Sequence, residues 1–315
     1  MTPEFVEVPF QVQRPQDGLR VDAYLAERLH RYSRSEVQRI IGQGRVFLRG
    51  RAAKAASRVA DGDVVLIRYP KRDEEPCAHQ ALRVLYEDES LLAVDKPGGV
   101  LSHPTDKIVE NSVTTILKRQ FPALKLHLIH RLDKDTSGIL LLAKDPAAAR
   151  AVADQFTRRT TRKRYLAVVA GRVSWKRKLV ALAIGSEGGE IMVRQAAGTG
   201  APALTEFECL SASEHGSLVR ARPKTGRLHQ IRVHLAHLGH PILGDRLYTG
   251  DGALYLKSVE HTITEEDILS LGAARQLLHA ERLTLRHPVT GKALDLRAPI
   301  PGDLQAAMDR LGLAP

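Results

Sequence analysis

The first part of the chain has apolar residues at the spacing of short amphipathic helices. In "DGLRVDAYLAERL", Val21, Leu25 and Leu29 recur every four residues, which predicts one helix with a single apolar face. The next segment, "SRSEVQRIIGQG", opens with Ser33 and carries Glu36 three residues later, the spacing of a capping box. Two consecutive short helices are therefore predicted.

Two strand-like runs follow these helices. "RVFLRGR" reads as a short strand that enters a turn at Gly50, and "DGDVVLI" reads as a turn followed by a closing strand. Two helices and a hairpin make a small N-terminal domain, placed at residues 1–68. The segment 69–80, "YPKRDEEPCAHQ", has two prolines, dense charge and no hydrophobic period, so it is predicted to be a linker.

The rest of the chain, residues 81–315, is dominated by apolar runs of strand length. Seven of them are predicted to be strands, namely "LRVLYED", "LLAVDKP", "GILLLAK", "RYLAVVAG", "LTEFECL", "SLVRARP" and "RLTLRHP". Helical segments lie between some of these runs. The pattern predicts an α+β domain with a mixed, largely antiparallel central sheet.

Two helices of this larger domain have recognisable ends. Asp145 followed by Pro146 has the form of an N-cap with proline at the first helical position. The segment "GRLHQIRVHLAHLGHP" predicts another helix, with Ile231 and Leu235 on its apolar face and its end at Gly239. The polar residues expected on the opposite face of that helix are Arg227, His229, Arg232, His234, His237 and His240.

Composition adds constraints on compartment and class. Hydrophobic residues make up 43% of the 315, as in soluble globular proteins, and no apolar run approaches the roughly 18 residues of a membrane span. The start, "MTPEFVEVPF", lacks the order of a signal peptide. Only Cys77 and Cys209 occur, outside any CxxC motif. We expect a cytoplasmic protein without disulfides or a cysteine-rich zinc site.

Positive charge is concentrated in two windows. The net charge of the chain is +11, whereas residues 31–58 alone carry +7 and residues 157–178 carry +9 with no acidic residue. Clustered basic charge is typical of phosphate binding, so a nucleic acid is the expected partner. The alternative is a solvated basic face with no ligand.

Several kinds of chemistry lack their sequence signatures. His234, His237 and His240 are spaced three apart, but no HExxH motif occurs and a glycine interrupts the helix, so no metal site is predicted. No GxSxG elbow and no GxxxxGK[ST] loop is present. A serine hydrolase and a nucleotide cofactor are accordingly not expected.

Three blocks in order, "HRLDKDTSGILLLAKD", "KRYLAVVAG" and "KTGRLHQIRVHLAHLGHPILGDRLY", resemble the RluA family of RNA pseudouridine synthases. The segments "VDKPGGVLSHP" and "LLHAERLTLRHP" are similar to further blocks of that family. The first domain resembles the S-four (S4) RNA-binding domain of the RluD and RluC branch. Leu228 and Glu281 depart from the family pattern, which usually has a hydroxyl residue and often an aromatic residue at these positions.

This resemblance implies the pseudouridine synthase fold and the isomerisation of uridine in structured RNA, without a cofactor. Asp133 matches the catalytic carboxylate, which either attacks the sugar or removes a sugar proton. Arg232 matches its buried partner, Tyr165 the residue that stacks on uracil, and Arg131 the residue that fills the vacated base stack. The expected substrate is bacterial large-subunit ribosomal RNA, with transfer RNA left open, and a monomer is expected.

Resemblance and charge together also indicate which other residues face the RNA. The positions expected to contact RNA, in addition to Arg131, are Arg34, Arg39, Arg45, Arg51, Arg162, Lys163, Arg227 and His229. Two competing hypotheses remain at this point. One is a non-catalytic RNA-binding or ribosome-assembly factor, against which the intact Asp133, Tyr165 and Arg232 count. The other is a metal-dependent hydrolase.

Overall fold

A computed structural model describes residues 5–29, 32–70, 74, 77–105 and 108–314 of the chain. The chain divides into two units, residues 1–73 and 74–315. The segment 69–80, predicted to be a linker, lies partly outside the described residues. Each unit is considered separately below.

The first unit combines a four-stranded antiparallel sheet with two helices. Its strands are β1 (Phe5–Gln11), β2 (Val46–Leu48), β3 (Arg51–Ala52) and β4 (Val64–Pro70). They are arranged in the order β1-β4-β2-β3. Its helices are α1 (Val21–Arg28) and α2 (Arg34–Gly42), preceded by a short 3₁₀ turn at Arg14–Gln16.

Local sequence signals fix both helices of this unit. The capping box is confirmed, because the Glu36 N–H donates to Ser33 Oγ (3.4 Å) and the Ser33 N–H donates to Glu36 Oε2 (2.7 Å). Tyr24, Leu25 and Val37 are fully buried where the helices pack on the sheet. The predicted hairpin is part of a larger sheet, since β1 pairs with β4 along its whole length.

The second unit is built on a ten-stranded mixed sheet. The ten strands are β5 (Arg83–Glu87), β6 (Leu91–Lys96), β7 (His127–Leu128), β8 (Ser137–Ala143), β9 (Arg162–Ala170), β10 (Arg177–Ala181), β13 (Leu204–Ala212), β14 (Gly216–Pro223), β15 (Leu278–Arg286) and β16 (Ala293–Arg297). A separate two-stranded sheet consists of β11 (Ile184–Ser186) and β12 (Gln195–Ala197). The main order is β10-β13-β14-β9-β15-β8-β6-β5, with β16 beside β15 and β7 beside β8. Strands β8 and β15 pair in parallel, and the other named pairs are antiparallel. All seven predicted strands and the α+β class are confirmed.

Six helices accompany this sheet. They are α3 (Val113–Gln120), α4 (Pro146–Thr157), α5 (Gln230–His237), α6 (Ala253–Val259), α7 (Glu265–Ser270) and α8 (Gly302–Arg310). The predicted cap of α4 is confirmed, because Asp145 accepts hydrogen bonds from the N–H groups of Ala147 and Ala148, both at 2.8 Å. Across the described part of the chain, no helix is both long enough and apolar enough to span a bilayer.

Strand β8 lies at the centre of the core and is buried along its entire length. Leu140 and Leu142 pack into the cluster that includes α3, while Ile139 and Leu141 pack into the cluster that includes α4. Each such side chain contributes about 1.5–3 kcal/mol relative to an exposed one. The loop that leads into β8 is therefore attached to one of the best-packed elements of the unit.

The helix α5 differs from its prediction in length and in exposure. It spans eight residues, so Arg227 and His229 precede it and His240 follows it. His229 adopts a left-handed backbone conformation (φ 55°), which cannot continue the helix toward its N-terminus. All six residues from Gln230 to Leu235 are buried, because this part of α5 packs against β13 and β14, while His237 at the end of the helix is exposed.

Candidate active site

The segment from His130 to Gly138 comprises most of the loop between β7 and β8 and the first two residues of β8, and its first residue anchors it. The ring of His130 stacks on Phe156 of α4, with ring centres 4.9 Å apart. Its Nε2 accepts a hydrogen bond from the backbone N–H of Leu141 in β8 (3.1 Å). Burial lowers the pKa of His130 to about 3, so this imidazole is neutral at physiological pH.

Four consecutive carbonyl groups of this loop have hydrogen-bond donors. Ser102 Oγ donates to the carbonyl of Leu132 (2.8 Å) and accepts from the N–H of the same residue (2.9 Å). The N–H of Thr136 donates to the carbonyl of Asp133 (3.2 Å), which closes a turn. The carbonyls of Lys134 and Asp135 bind the side chains of two residues distant in sequence, and the whole segment is thereby fixed.

Lys96, at the end of β6, holds one of these carbonyls from inside the core. Its Nζ donates to the carbonyl oxygens of Pro97 (2.8 Å), Val100 (2.5 Å) and Lys134 (2.7 Å). Burial lowers the pKa of Lys96 to about 7, while the charge of Asp135 acts in the opposite direction. Three convergent acceptors favour the ammonium form, so Lys96 ties the loop to the sheet.

The segment just before β15 holds the other end of the loop. Arg275 donates to the carbonyl of Asp135 (2.7 Å), and Gln276 Nε2 donates to Thr136 Oγ1 (2.7 Å). Gly138 has φ +107°, and a Cβ there would lie 2.3 Å from the backbone oxygen of Ala280. Only glycine permits this approach of two strands, so the glycine of "DTSG" is required by packing.

Asp133 lies on this fixed loop with one carboxylate oxygen engaged. Its Oδ2 accepts a hydrogen bond from Arg232 (3.0 Å), and Nε2 of His229 lies 3.9 Å from the same oxygen. The side chain is 23% exposed. Burial raises the pKa of the Asp133 carboxyl, but the Arg232 charge and hydrogen bond outweigh burial and hold that pKa below its ordinary value. Asp133 is ionised at neutral pH.

Arg232, in α5, is positioned by a second carboxylate. Its Nε and one terminal nitrogen donate to the two oxygens of the fully buried Asp245, at 2.7 and 2.9 Å. Burial lowers the pKa of Arg232, but the Asp245 charge outweighs this effect and the pKa is raised. The remaining terminal nitrogen is thereby directed at Asp133. Asp245 was not identified from the sequence, where it is one of many acids.

Tyr165, in β9, lines the same site. Burial raises the pKa of its phenol strongly, and the charge of Asp133 raises it further. The phenol therefore remains protonated at physiological pH. Asp133, Tyr165 and Arg232 all line one open cleft of about 500 Å³. The structure thus brings together the three residues that the sequence indicated.

Four of the residues predicted to contact RNA also line this cleft, namely Arg131, Lys163, Arg227 and His229. Arg131 is exposed, and Lys163 Nζ lies over the ring of Phe156 at 5.9 Å. Arg162 lies on β9 outside the cleft lining and is exposed. The cleft therefore has a cationic wall next to the half-buried carboxylate of Asp133.

The other predicted RNA contacts belong to the first unit. Arg39 and Arg51 are exposed, and Arg45 is half-buried. Arg34 is committed to an ion pair, since its guanidinium donates to both oxygens of the buried Asp22 at 3.1–3.3 Å. No pattern in the sequence indicated this ion pair. Among the described residues, no group of three or more His, Cys, Asp or Glu side chains is arranged to hold a metal ion.

Comparisons with known proteins agree with this geometry. A family model described as RNA pseudouridylate synthase matches residues 90–237, and an S4 domain model matches residues 19–65. The chain is 35% identical to ribosomal large subunit pseudouridine synthase D of Xanthomonas campestris over 312 residues, 93% of this chain and 89% of that one. It is 33% identical over 303 residues to ribosomal large subunit pseudouridine synthase C of Yersinia pestis, with 91% and 90% covered. The structure of human RNA pseudouridylate synthase domain containing 4 is similar, with TM-score 0.59 and 27% identity over 74% of this chain and 94% of that chain.

Proposed function

Because the chain belongs to the RNA pseudouridylate synthase family and is an enzyme that isomerises uridine in RNA, we propose that its substrate is bacterial large-subunit ribosomal RNA and that Asp133 is its catalytic carboxylate. The names of the relatives support the ribosomal substrate. One observation carries the residue assignment. It is the half-buried, ionised Asp133, with one oxygen held by Arg232 and its side chain open to the cleft.

The chemistry accounts for the use of a single carboxylate. Isomerisation breaks the bond between uracil N1 and the sugar C1′, forms a bond from C5 to C1′, removes the C5 proton and protonates N1. Nothing is oxidised and no group is added, so the reaction needs no cofactor. Asp133 acts at the sugar, either by attack on C1′ or by removal of the neighbouring proton, and both routes require the ionised form.

Arg232 keeps that carboxylate ionised in a desolvated site. An arginine remains protonated when buried, whereas a lysine in the same place loses its proton more readily. Asp245 accepts hydrogen bonds from two nitrogens of Arg232, so the guanidinium is held in the orientation that contacts Asp133. Tyr165 offers a protonated phenol ring as a wall on which the uracil stacks, and it takes part in the late proton transfer.

The cationic wall binds the RNA around the target. The target base lies in folded RNA, so it must be extruded, which costs a few kcal/mol. Arg131, two residues before Asp133, occupies the space that the base leaves, and Lys163 and Arg227 bind neighbouring phosphates. Exposed arginines of the first unit, Arg39 and Arg51, add phosphate contacts. A monomer in the bacterial cytoplasm suffices for this function.

The test is the substitution Asp133→Asn, which preserves shape and removes the charge. Pseudouridine formation on in-vitro-transcribed large-subunit ribosomal RNA should fall by at least about 10⁴-fold, the scale seen when a catalytic nucleophile or base is removed. The Kd for the same RNA should remain close to wild type.

A matched control is Asp135→Asn, two residues along the same loop. Among the described residues only its backbone carbonyl is hydrogen-bonded, to the Arg275 side chain, and its charge acts on Lys96 and not on Asp133, so turnover should stay far above that of Asp133→Asn. Full turnover by the Asp133→Asn enzyme contradicts the assignment of the carboxylate. Wild-type protein that binds this RNA and forms no pseudouridine in it contradicts the proposed substrate.

A further inference from the structure

His229, in the wall of the cleft beside Asp133, forms a hydrogen-bonded pair with Tyr248, which lies outside the cleft lining. Nδ1 of His229 lies 2.9 Å from Oη of Tyr248, and Nε2 lies 3.9 Å from Oδ2 of Asp133. Both side chains are largely buried, with the imidazole 11% exposed. The left-handed backbone of His229, immediately before α5, sets the direction of the ring.

The positions of the hydrogens follow from the partners. The backbone N–H of Gln195 in β12 donates to Tyr248 Oη (3.0 Å), so this oxygen is already an acceptor. Within the described residues, His229 Nδ1 is the only acceptor near the Tyr248 hydroxyl hydrogen. Burial lowers the pKa of His229 to about 4, so the ring is neutral and carries one hydrogen. We assign that hydrogen to Nε2, which faces Asp133.

We propose that His229 and Tyr248 are positioning residues for Asp133, an inference that rests on the proposed function. Tyr248 fixes the tautomer, and the Nε2–H of His229 becomes a second donor to Oδ2, beside Arg232. A shortening by about 1 Å makes this contact a hydrogen bond, as catalytic contacts tighten when substrate binds. Two donors on one oxygen leave Oδ1 directed to the sugar.

This assignment gives His229 a role other than the RNA contact expected from the sequence. Both ring nitrogens are committed to partners within the protein, so neither offers a donor or an acceptor to a phosphate. The next residue, Gln230, is held by Thr225, Thr205 and the backbone of Leu204, which prevents the loop from swinging outward. A rigid, neutral imidazole suits the orientation of a carboxylate.

The experiment compares four variants. Tyr248→Phe removes the hydroxyl and keeps the ring that lies 5.0 Å from the Arg232 guanidinium. His229→Asn tolerates the left-handed backbone but does not reach Asp133, while His229→Gln places an amide N–H near the Nε2 position. Tyr86→Phe is the matched control, because it removes a hydroxyl bound to Asp88 outside the cleft lining. Circular dichroism verifies the fold of each.

The readouts are the single-turnover rate on large-subunit ribosomal RNA tritiated at uracil C5, the Kd for that RNA, and the pH profile of the rate. We expect the rate to fall about tenfold in Tyr248→Phe and about a hundredfold in His229→Asn. His229→Gln should recover most of the loss, and Tyr86→Phe should match wild type. The Kd should not change.

The pH profile of the rate distinguishes a positioning role of His229 and Tyr248 from a purely structural one. The titratable and charged groups that act on Asp133 are Arg232, His229, Arg131, Tyr165, Lys96 and Tyr248, and all but His229 and Tyr248 are the same in the Tyr248 and His229 variants. Loss of a donor to the carboxylate raises the pKa of Asp133, so the acidic limb of the profile should move to higher pH in Tyr248→Phe and His229→Asn.

Three results overturn the proposal: a weakened Kd with an unchanged rate, a lowered rate with an unmoved acidic limb, or an equal loss in Tyr86→Phe. Asp133→Asn is measured alongside as a reference. If it retains turnover, the proposed function itself has failed. If it is inactive while Tyr248→Phe runs at the wild-type rate, only the positioning role has failed.

Discussion

Two aspartates, Asp22 in the first unit and Asp133 in the second, are each surrounded by arginine. Asp22 has no exposed side-chain surface, and Arg20, Arg34 and Gln38 donate to both of its oxygens at 2.7–3.3 Å. Asp133 is 23% exposed, and its hydrogen-bonded oxygen is Oδ2 alone among the described residues. The pKa of both carboxyls lies below its ordinary value.

The comparison shows that a lowered pKa does not mark a reactive group. Every lone-pair direction of Asp22 is used, so the residue can only hold α1 and α2 together. Asp133 keeps one oxygen free beside a cleft large enough for a nucleotide, so its charge is available to a substrate. Unused hydrogen-bonding capacity next to open space distinguishes the catalytic candidate from the structural one.

After Asp133→Asn, the largest effect should come from removing the cation that contacts Asp133. Arg232→Met takes away the donor that keeps Asp133 ionised, so kcat should fall about a hundredfold or more. The same change leaves Asp245 buried and unpaired, which should lower the free energy of unfolding by about 3–5 kcal/mol. Single-turnover kinetics and denaturant unfolding measure the two losses separately.

A double variant separates the causes. Arg232→Met with Asp245→Asn no longer buries an unpaired charge, so stability should recover while kcat stays low. Recovery of kcat together with stability would mean that Arg232 acts through folding alone.

A smaller effect, on stability, is expected at the other aspartate. Asp22→Ala removes the shared acceptor of three side chains, but both arginines are about half exposed and can turn to water, so the first unit should lose about 2 kcal/mol. Because the folded-state pKa of Asp22 is lowered, the wild-type contribution is complete above the unfolded value near pH ~4. It declines as pH falls below that value and is fully lost only as pH falls through the folded-state pKa. Hydrogen exchange in α1 and α2 measures the loss of stability in Asp22→Ala and the pH dependence of the Asp22 contribution.

The matched control is Glu7→Ala, which breaks an exposed ion pair with Arg68 in the same unit. Its effect should be below about 1 kcal/mol. Equal losses in the two variants, or an Asp22 contribution that does not decline as pH falls below about 4, would contradict the role of Asp22 in holding α1 and α2 together.

The smallest effect concerns the salt dependence of RNA binding. Arg39 is exposed, whereas the guanidinium of Arg34 is directed at Asp22. Arg39→Ala should reduce the slope of log K against log salt by about 0.7–0.9, the value of one phosphate contact. Arg34→Ala should reduce it by clearly less. A larger reduction for Arg34 would show that its pairing with Asp22 leaves it fully available to RNA.

The elements that were predictable from sequence are those specified by neighbouring residues. The Ser33–Glu36 box and the Asp145 cap lie within three or four residues, so they could be read directly. Strand β1 was missed although "FVEVPFQ" alternates, because Pro9 interrupts it. Proline is tolerated since β1 is an edge strand, and only the sheet order shows this.

The site depends on contacts that local pattern does not encode. Ninety-nine positions separate Asp133 and Arg232, and only resemblance to a family suggested their pairing. Asp245 and Tyr248 have no distinguishing spacing, and Asp22 reads as an exposed helical acid. Their roles follow from burial and from directed hydrogen bonds, which are properties of the folded chain.

The hydroxyl of Ser102 bonds to both the N–H and the carbonyl of Leu132, directly before Asp133, the proposed catalytic carboxylate. Because both backbone groups of Leu132 are hydrogen-bonded, the backbone there is held in one conformation. Asp133 then reaches the substrate by changes in its side-chain torsion angles. When the RNA binds, the conformational change therefore occurs in the RNA. The RNA must place an unstacked base in a site that is already ordered. The free-energy cost of extruding the base is lowest for weakly paired uridines. The local stability of the RNA therefore contributes to the selection of the uridines that react.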